Sequence, residues 1–274
     1  MKEVVLTIKE TLRLPVAANE ISPDSFAGKS KKEIEELTIW EGNKRIYLRD
    51  IIEVEGDGET SEELGIRVIG DASKIRYIGH RMSSGSVTVE GDTGMYLGYK
   101  MKGGKIAVKG DAGHWTGSRM TDGFIEVEGN AGDLIGSPYR GSRMGMKDGL
   151  IIIHGDAGAD IGLWMRGGTI RIKGNSGMFP GMHMSKGRIL VEGDCEGRAG
   201  AQMIGGRVVV LGHIPSVLPS FSVEEKRKSV KVAKEKIPGP FYVFSGDNNE
   251  NGNGKLYISI EKNPHLSWCE KYMI

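Results

Sequence analysis

Seven acidic or amide side chains each follow a glycine: Asp71, Asp92, Asp111, Asn130, Asp156, Asn175 and Asp194. Stacked about 4.8 Å apart, they could ligate calcium or could accept hydrogen bonds from backbone amides in turns. The nonapeptide calcium repeat is missing, so turn capping is the expected role. His80, His114, His154, His183 and His213 fall at different offsets from these glycines, with only His80 and His183 close in register, and His265 lies in the tail. Ligands for a metal must converge, and no metal site is expected. Cys195 stands where other copies carry Ala or Ser, without a recognisable histidine partner; a small buried side chain is expected there rather than a nucleophile. Cys269, in the tail, is uninformative. A further ladder is basic: Arg81, Lys100 and Arg119, with Arg143 in an irregular copy, continued by Trp164, His183 and Gln202. Regularly spaced cations form either a solvated edge or a surface for an acidic partner or anionic ligand.

Repetition must position these residues. The leading glycines are Gly70, Gly91, Gly110, Gly129, Gly155, Gly174, Gly193 and Gly212, spaced by 19 residues except for 21 at the first step and 26 at the fourth. Five consecutive copies share GxxGxxxG. A methionine column follows, at Met82, Met101, Met120, Met146, Met165, Met184 and Met203, and is expected to fill core. Each copy closes on an alternating run such as Ile106 and Val108, or Ile170 and Ile172, which predicts a strand with those residues inward. One short strand cannot bury its own apolar face, so copies must stack. The expected fold is mainly β: a single-stranded parallel β-helix, right-handed, of seven or eight coils, capped by small α/β elements at both ends.

The expected divisions are 1–50, an N-terminal cap of strand, helix and hairpin; 51–214, the glycine repeat; and 215–274, a C-terminal cap of helix and hairpin. Val4, Leu6 and Ile8 alternate as a strand, Ser30 with Glu33 reads as a capping box, and Thr38 to Leu48 reads as a hairpin around Gly42 and Asn43. Ser222 with Glu225 reads as a second box, opening a helix with Val230, Ala233 and Ile237 on one face and Pro238 ending it. Phe241–Ser245 and Leu256–Glu261 then form a closing hairpin. Leu150, Ile152, Leu190, Val209 and Leu211 make the outward strand face apolar, so the C-terminal helix or another protein must cover it.

A net charge of +1 gives no electrostatic footprint for nucleic acid or an anionic membrane. No apolar run approaches the roughly 18 residues of a membrane span. With two cysteines and a charged start, a cytoplasmic protein is expected.

The tandem GxxGxxxG units resemble the β-helical domain at the C-terminal end of the glutamate synthase large subunit. The VEGD and GxxM features, the leading LTIKETLRLPVAANEISPDSFAGKS and the tail GPFYVFSGD look like the C-subunit family of formylmethanofuran dehydrogenase over essentially the whole chain. That resemblance implies a subunit of a methanogen-type complex that fixes CO2 onto methanofuran with reduced ferredoxin, the first step of methanogenesis from CO2. It also implies partner subunits of amidohydrolase and molybdopterin type. The tungsten- or molybdenum-pterin, the iron–sulfur clusters and the amidohydrolase metal belong to those partners, and no catalytic, cofactor or metal residue carries over to this chain. A related bacterial formyltransferase/hydrolase complex has such a subunit too, and a stand-alone binding module is the third possibility.

A non-catalytic scaffold is therefore expected. The rival is an acyltransferase of the left-handed β-helix kind, whose hexapeptide pattern is missing here. Docking is expected where regularity breaks, at the insertion Ser137 to Arg143. Tyr139, Arg140 and Arg143 would join Leu150 and Ile152 to hold a larger subunit, while Arg81, Lys100 and Arg119 steer its acidic surface.

Overall fold

The computed structural model describes residues 2–9, 12–59 and 63–273, so Glu10 and Thr11 of the leading motif lie outside the described residues. The N-terminal part forms β1 (Lys2–Ile8), β2 (Val16–Ala17), α1 (Pro23–Phe26), α2 (Lys31–Glu35), β3 (Thr38–Glu41), β4 (Lys44–Tyr47), α3 (Leu48–Ile51) and β5 (Ile52–Glu55). The repeats supply β6 (Leu64–Ile69), β7 (Ile75–Arg76), β8 (Ser86–Val89), β9 (Lys102–Val108) and β10 (Asp122–Val127). They continue with β11 (Leu150–Ile153), β12 (Arg166–Ile172), β13 (Lys186–Val191) and β14 (Arg207–Val210). The chain closes with β15 (Ser222–Val232), β16 (Glu235–Gly246), β17 (Gly254–Ser259) and a 3-10 helix, Pro264–Tyr272.

Thirteen strands make one sheet in the order β15-β16-β17-β14-β13-β12-β11-β10-β9-β8-β6-β1-β5, and a second sheet has the order β4-β3-β2-β7. Neighbouring repeat strands pair in parallel with equivalent residues opposed, as in Ile125 with Ile106 and Ile151 with Ile170. The antiparallel pairs of the large sheet lie at its ends, β1 with β5 and the run β15-β16-β17.

This layout corrects the expected β-helix with separate α/β caps. The main element is a large, mostly parallel sheet, and the chain ends join it: β1 enters between β6 and β5, and β17 continues it from β14. A 19-residue period and an alternating run specify which residues oppose one another and which point inward. A parallel sheet satisfies both conditions, so the period alone did not determine the architecture.

The second correction concerns the C-terminal helix, because Ser222 to Ile237 fold as β15 and the start of β16. Glu225 pairs with Arg227 instead of capping a helix. Val230 and Val232, two apart, bury together with Ile237, Phe241 and Val243 against Leu190 and Val209. Covering that apolar strand face outweighs a local capping preference. The N-terminal box does form: the Ser30 amide donates to the Glu33 carboxylate at 2.8 Å, and α2 follows.

Within the core the inward pairs are buried, Ile106, Val108, Ile125, Val127, Ile170 and Ile172 being fully so, as is every methionine of the column. Each such aliphatic side chain contributes about 1.5–3 kcal/mol. The turns leave little room: a Cβ on Gly98, where φ is +64°, would stand 2.6 Å from Ile125 Cδ1. Among the described residues no helix is long and apolar enough to cross a membrane.

Candidate partner-docking face

Each repeat turns through left-handed backbone, and not only at glycine. Tyr77, Tyr96, Trp115, Leu134, Asp160, Phe179 and Arg198 occupy one column with φ between 56° and 70°. Arg81, Lys100, Arg119, Trp164, His183 and Gln202 occupy a second, with φ between 54° and 58°. Such a conformation costs a residue with a Cβ about 1–2 kcal/mol. Hydrogen bonds to the next repeat offset it: Tyr77 N donates to Met95 O at 3.1 Å, Tyr96 N to His114 O at 2.9 Å, and Lys100 N to Ser118 O at 2.9 Å.

The repeated geometry stacks the side chains. The Tyr77 and Tyr96 rings lie 4.8 Å apart at 6°, and Tyr96 and Trp115 lie 5.0 Å apart at 15°. His80 stacks on Tyr99 at 5.7 Å, and Trp164 on His183 at 4.0 Å. Burial, with Arg81 and Lys100 nearby, pulls the His80 pKa down to about 4, so the ring is neutral at pH 7. Burial pushes the Tyr96 phenol up to about 12, with the phenols of Tyr77 and Tyr139 adding to it.

The insertion is anchored beside these columns by Ser137, which is buried. Its hydroxyl donates to Asp160 O at 2.7 Å and accepts from Leu163 N at 3.1 Å. Beyond the anchor Tyr139 is 56% exposed, and the Arg143 guanidinium lies 5.3 Å from the Trp164 ring centre. Pro138, Tyr139 and Arg140 wall a cleft of about 250 Å³ with Trp115, Asp160 and Trp164. Burial, then Asp133, raises the Asp160 carboxyl above its ordinary pKa. The Trp115 Nε1 group is buried without a hydrogen-bond partner.

The structure divides the expected interface. Tyr139, Arg140 and Arg143 belong with the left-handed columns that carry Arg81, Lys100 and Arg119. Leu150 and Ile152 instead line a separate groove of about 400 Å³, with Leu190, Val232 and Ala233 at the tip of the β15-β16 hairpin. The column of Tyr77, Tyr96 and Trp115 was missed from the sequence. Its members recur 19 residues apart except across the insertion, but the column varies from Tyr to Leu, Asp and Arg and shares only a backbone conformation.

Asp71 accepts from Ser73 N of its own turn at 2.9 Å, and from Asp92 onward the acidic and amide ladder caps backbone amides across repeats. Asp92 Oδ1 accepts from Asp111 N at 2.8 Å, Asp111 Oδ1 from Asn130 N at 2.6 Å, and Asn130 Oδ1 from Asp156 N at 2.9 Å. The series continues through Asp156 and Asn175 to Asp194, whose Oδ1 accepts from His213 N at 2.6 Å. His114 Nδ1 likewise accepts from Asp133 N at 2.8 Å. His154 Nε2 lies 2.7 Å from Glu126. Among the described residues no three His, Cys, Asp or Glu side chains group as metal ligands. Cys195 is buried in the bridged line Ala157–Ser176–Cys195, and burial pushes its thiol pKa up.

No family model matches the sequence. The chain is 53% identical over 273 residues to the C subunit of the tungsten-containing formylmethanofuran dehydrogenase 2 of Methanococcus maripaludis, covering 97% of this chain and 100% of that protein. It is 45% identical over 96 residues to the C subunit of the molybdenum-containing formylmethanofuran dehydrogenase 1 of Methanosarcina barkeri. That stretch is 35% of this chain and 32% of the relative, so the match spans about a third of that protein's length. Among solved structures, a chain from the crystal structure of the formyltransferase/hydrolase complex of Methylorubrum extorquens with methylofuran superposes with a TM-score of 0.81. The two are 26% identical, over 93% of this chain and 99% of that one.

Proposed function

The chain belongs to the C-subunit family of formylmethanofuran dehydrogenase, and we propose from that premise that it is a non-catalytic scaffold subunit of a cytoplasmic complex that reduces CO2 onto methanofuran. The single observation that carries this reading is the 53% identity held across nearly the whole chain. The chemistry of the side chains supports the scaffold part. Carboxylates that could act as acids or bases are engaged by backbone amides along their ladder. The only two thiols, Cys195 and Cys269, are both buried, and an iron–sulfur cluster takes four cysteine thiolates. The donor set does not fit such a cluster, so the reading assigns the iron–sulfur clusters to other subunits, and on the family resemblance alone it assigns the pterin metal and the amidohydrolase metal there too. A second reading, a subunit of a formyltransferase/hydrolase complex, is favoured by the 0.81 superposition over 99% of that complex's chain.

Purification of the native complex through a tag on this chain, followed by mass spectrometry and assay, tests the proposal. Molybdopterin-type and amidohydrolase-type subunits should co-purify, and the chain alone should show no turnover. Co-purification of a formyltransferase without a pterin subunit would favour the second reading. Turnover by the isolated, metal-replete chain, lost in His114→Ala or His183→Ala, would overturn the scaffold assignment.

A further inference from the structure

We propose that the left-handed turn face, from the Tyr77–Tyr96–Trp115 stack across to the insertion at Tyr139, seats an acidic segment of a partner polypeptide; this rests on the subunit reading above. Some basic side chains elsewhere have acids beside them: Lys109 has Glu128, Arg171 has Glu192 and Glu235, Lys226 has Glu270, and Lys255 has Glu224. This face gathers five cations. Arg81, Lys100, Arg119, Arg140 and Arg143 form no ion pair with an acidic group among the described residues, although the whole chain is nearly neutral at +1. The first three recur at the same turn position of successive repeats, stacked about 4.8 Å apart, and like charges so placed repel.

The backbone sharpens the argument. Arg81, Lys100 and Arg119 stand at φ of 56°, 58° and 58°, where glycine would adopt the same turn without the Cβ penalty. A tight turn does not require three cations in that conformation. Anchors for a binding partner lie alongside: Tyr139 is largely exposed, and two aromatic stacks end at the insertion cleft. Tyr, Trp and Arg are the residues enriched at interface hot spots. Asp160 is the acidic member of the column, and its carboxyl is half-buried. An acidic segment would complete this face by pairing the cations while its backbone and apolar side chains lie against the exposed Tyr139 ring, beside the stack in which Tyr96 is buried.

Two measurements on the native complex decide the matter. A zero-length carbodiimide cross-linker should join Lys100 to an Asp or Glu of another subunit. In parallel, a chain carrying Arg81→Gly, Arg119→Gly and Arg140→Ala should keep or raise its melting temperature, because two substitutions relieve left-handed backbone. Its affinity for the partner subunits should nevertheless fall by about tenfold or more, about 1.4 kcal/mol or greater, and wild-type assembly should weaken as salt rises. Full assembly by the triple variant would overturn the docking face while leaving the subunit reading intact. Failure of the wild-type chain to bring down any dehydrogenase subunit would remove the subunit reading and this inference together. A Lys100 cross-link to a second copy of the same chain would make that copy the occupant and overturn the acidic-partner assignment.

Discussion

His80 is held neutral against Tyr99. Its pKa of about 4 lies below the ordinary 6.5 because burial, and then Arg81 and Lys100, disfavour the imidazolium. Above pH 6.5 neither folded nor unfolded chain is protonated there, and the stack contributes fully. As pH falls from 6.5 towards 4 the unfolded chain binds the proton first, so this contribution is lost in that window. Burial depresses His183 in the same direction. His80→Phe should therefore flatten the fall in melting temperature between pH 6.5 and 4; an unaltered slope would show that another group controls it. A second expectation comes from Gly98, whose left-handed backbone and 2.6 Å approach to Ile125 leave no space for a methyl group. Gly98→Ala should cost about 2–4 kcal/mol in urea unfolding. The glycine ladder was legible because residue type announced backbone with no room for a side chain: a Cβ on Gly110 would stand 2.2 Å from Asp92 Oδ1, while Gly98 and Gly117 also take a positive φ. The aromatic column was not, since Tyr96 and Trp115 carry no local mark of that conformation.

At the scale of elements, the alternating runs read true because period two and burial agree: Ile151 and Ile153 are fully buried while Leu150 and Ile152 are not. The capping box at Ser30 also read true, since no competing apolar surface claims α2. At Ser222 a similar local pattern lost to a longer-range demand, the need to cover Leu190 and Val209. Val223, Val230 and Val232 are β-branched, and that composition was the signal for a strand. Val232→Asp puts a charge where the β15-β16 hairpin closes over the sheet, and should cost about 2–4 kcal/mol. Limited proteolysis should then cut near Ala233 and Lys234 in the variant and spare the wild type. Equal resistance in both would mean that Val232 does not hold the hairpin down.

For the molecule as a whole, sequence period revealed the order and register of the strands but not their assembly into one sheet with the chain ends built in, because register concerns neighbours alone. The same locality allows a test. Removing residues 155–173, one whole repeat, would bring Asn175 N opposite Asn130 Oδ1 and β13 opposite β11, and each pairing has its equivalent in the intact chain. Repeat arrays gain stability layer by layer, so the shortened chain should fold, with a smaller urea m-value. Failure to fold would show that the insertion-bearing fourth repeat tolerates only its present neighbour. The length of the protein is thus quantised. A partner gripping both ends would meet a ruler graduated in steps of about 4.8 Å, and could be refitted by adding or dropping a whole graduation but not by sliding a few residues.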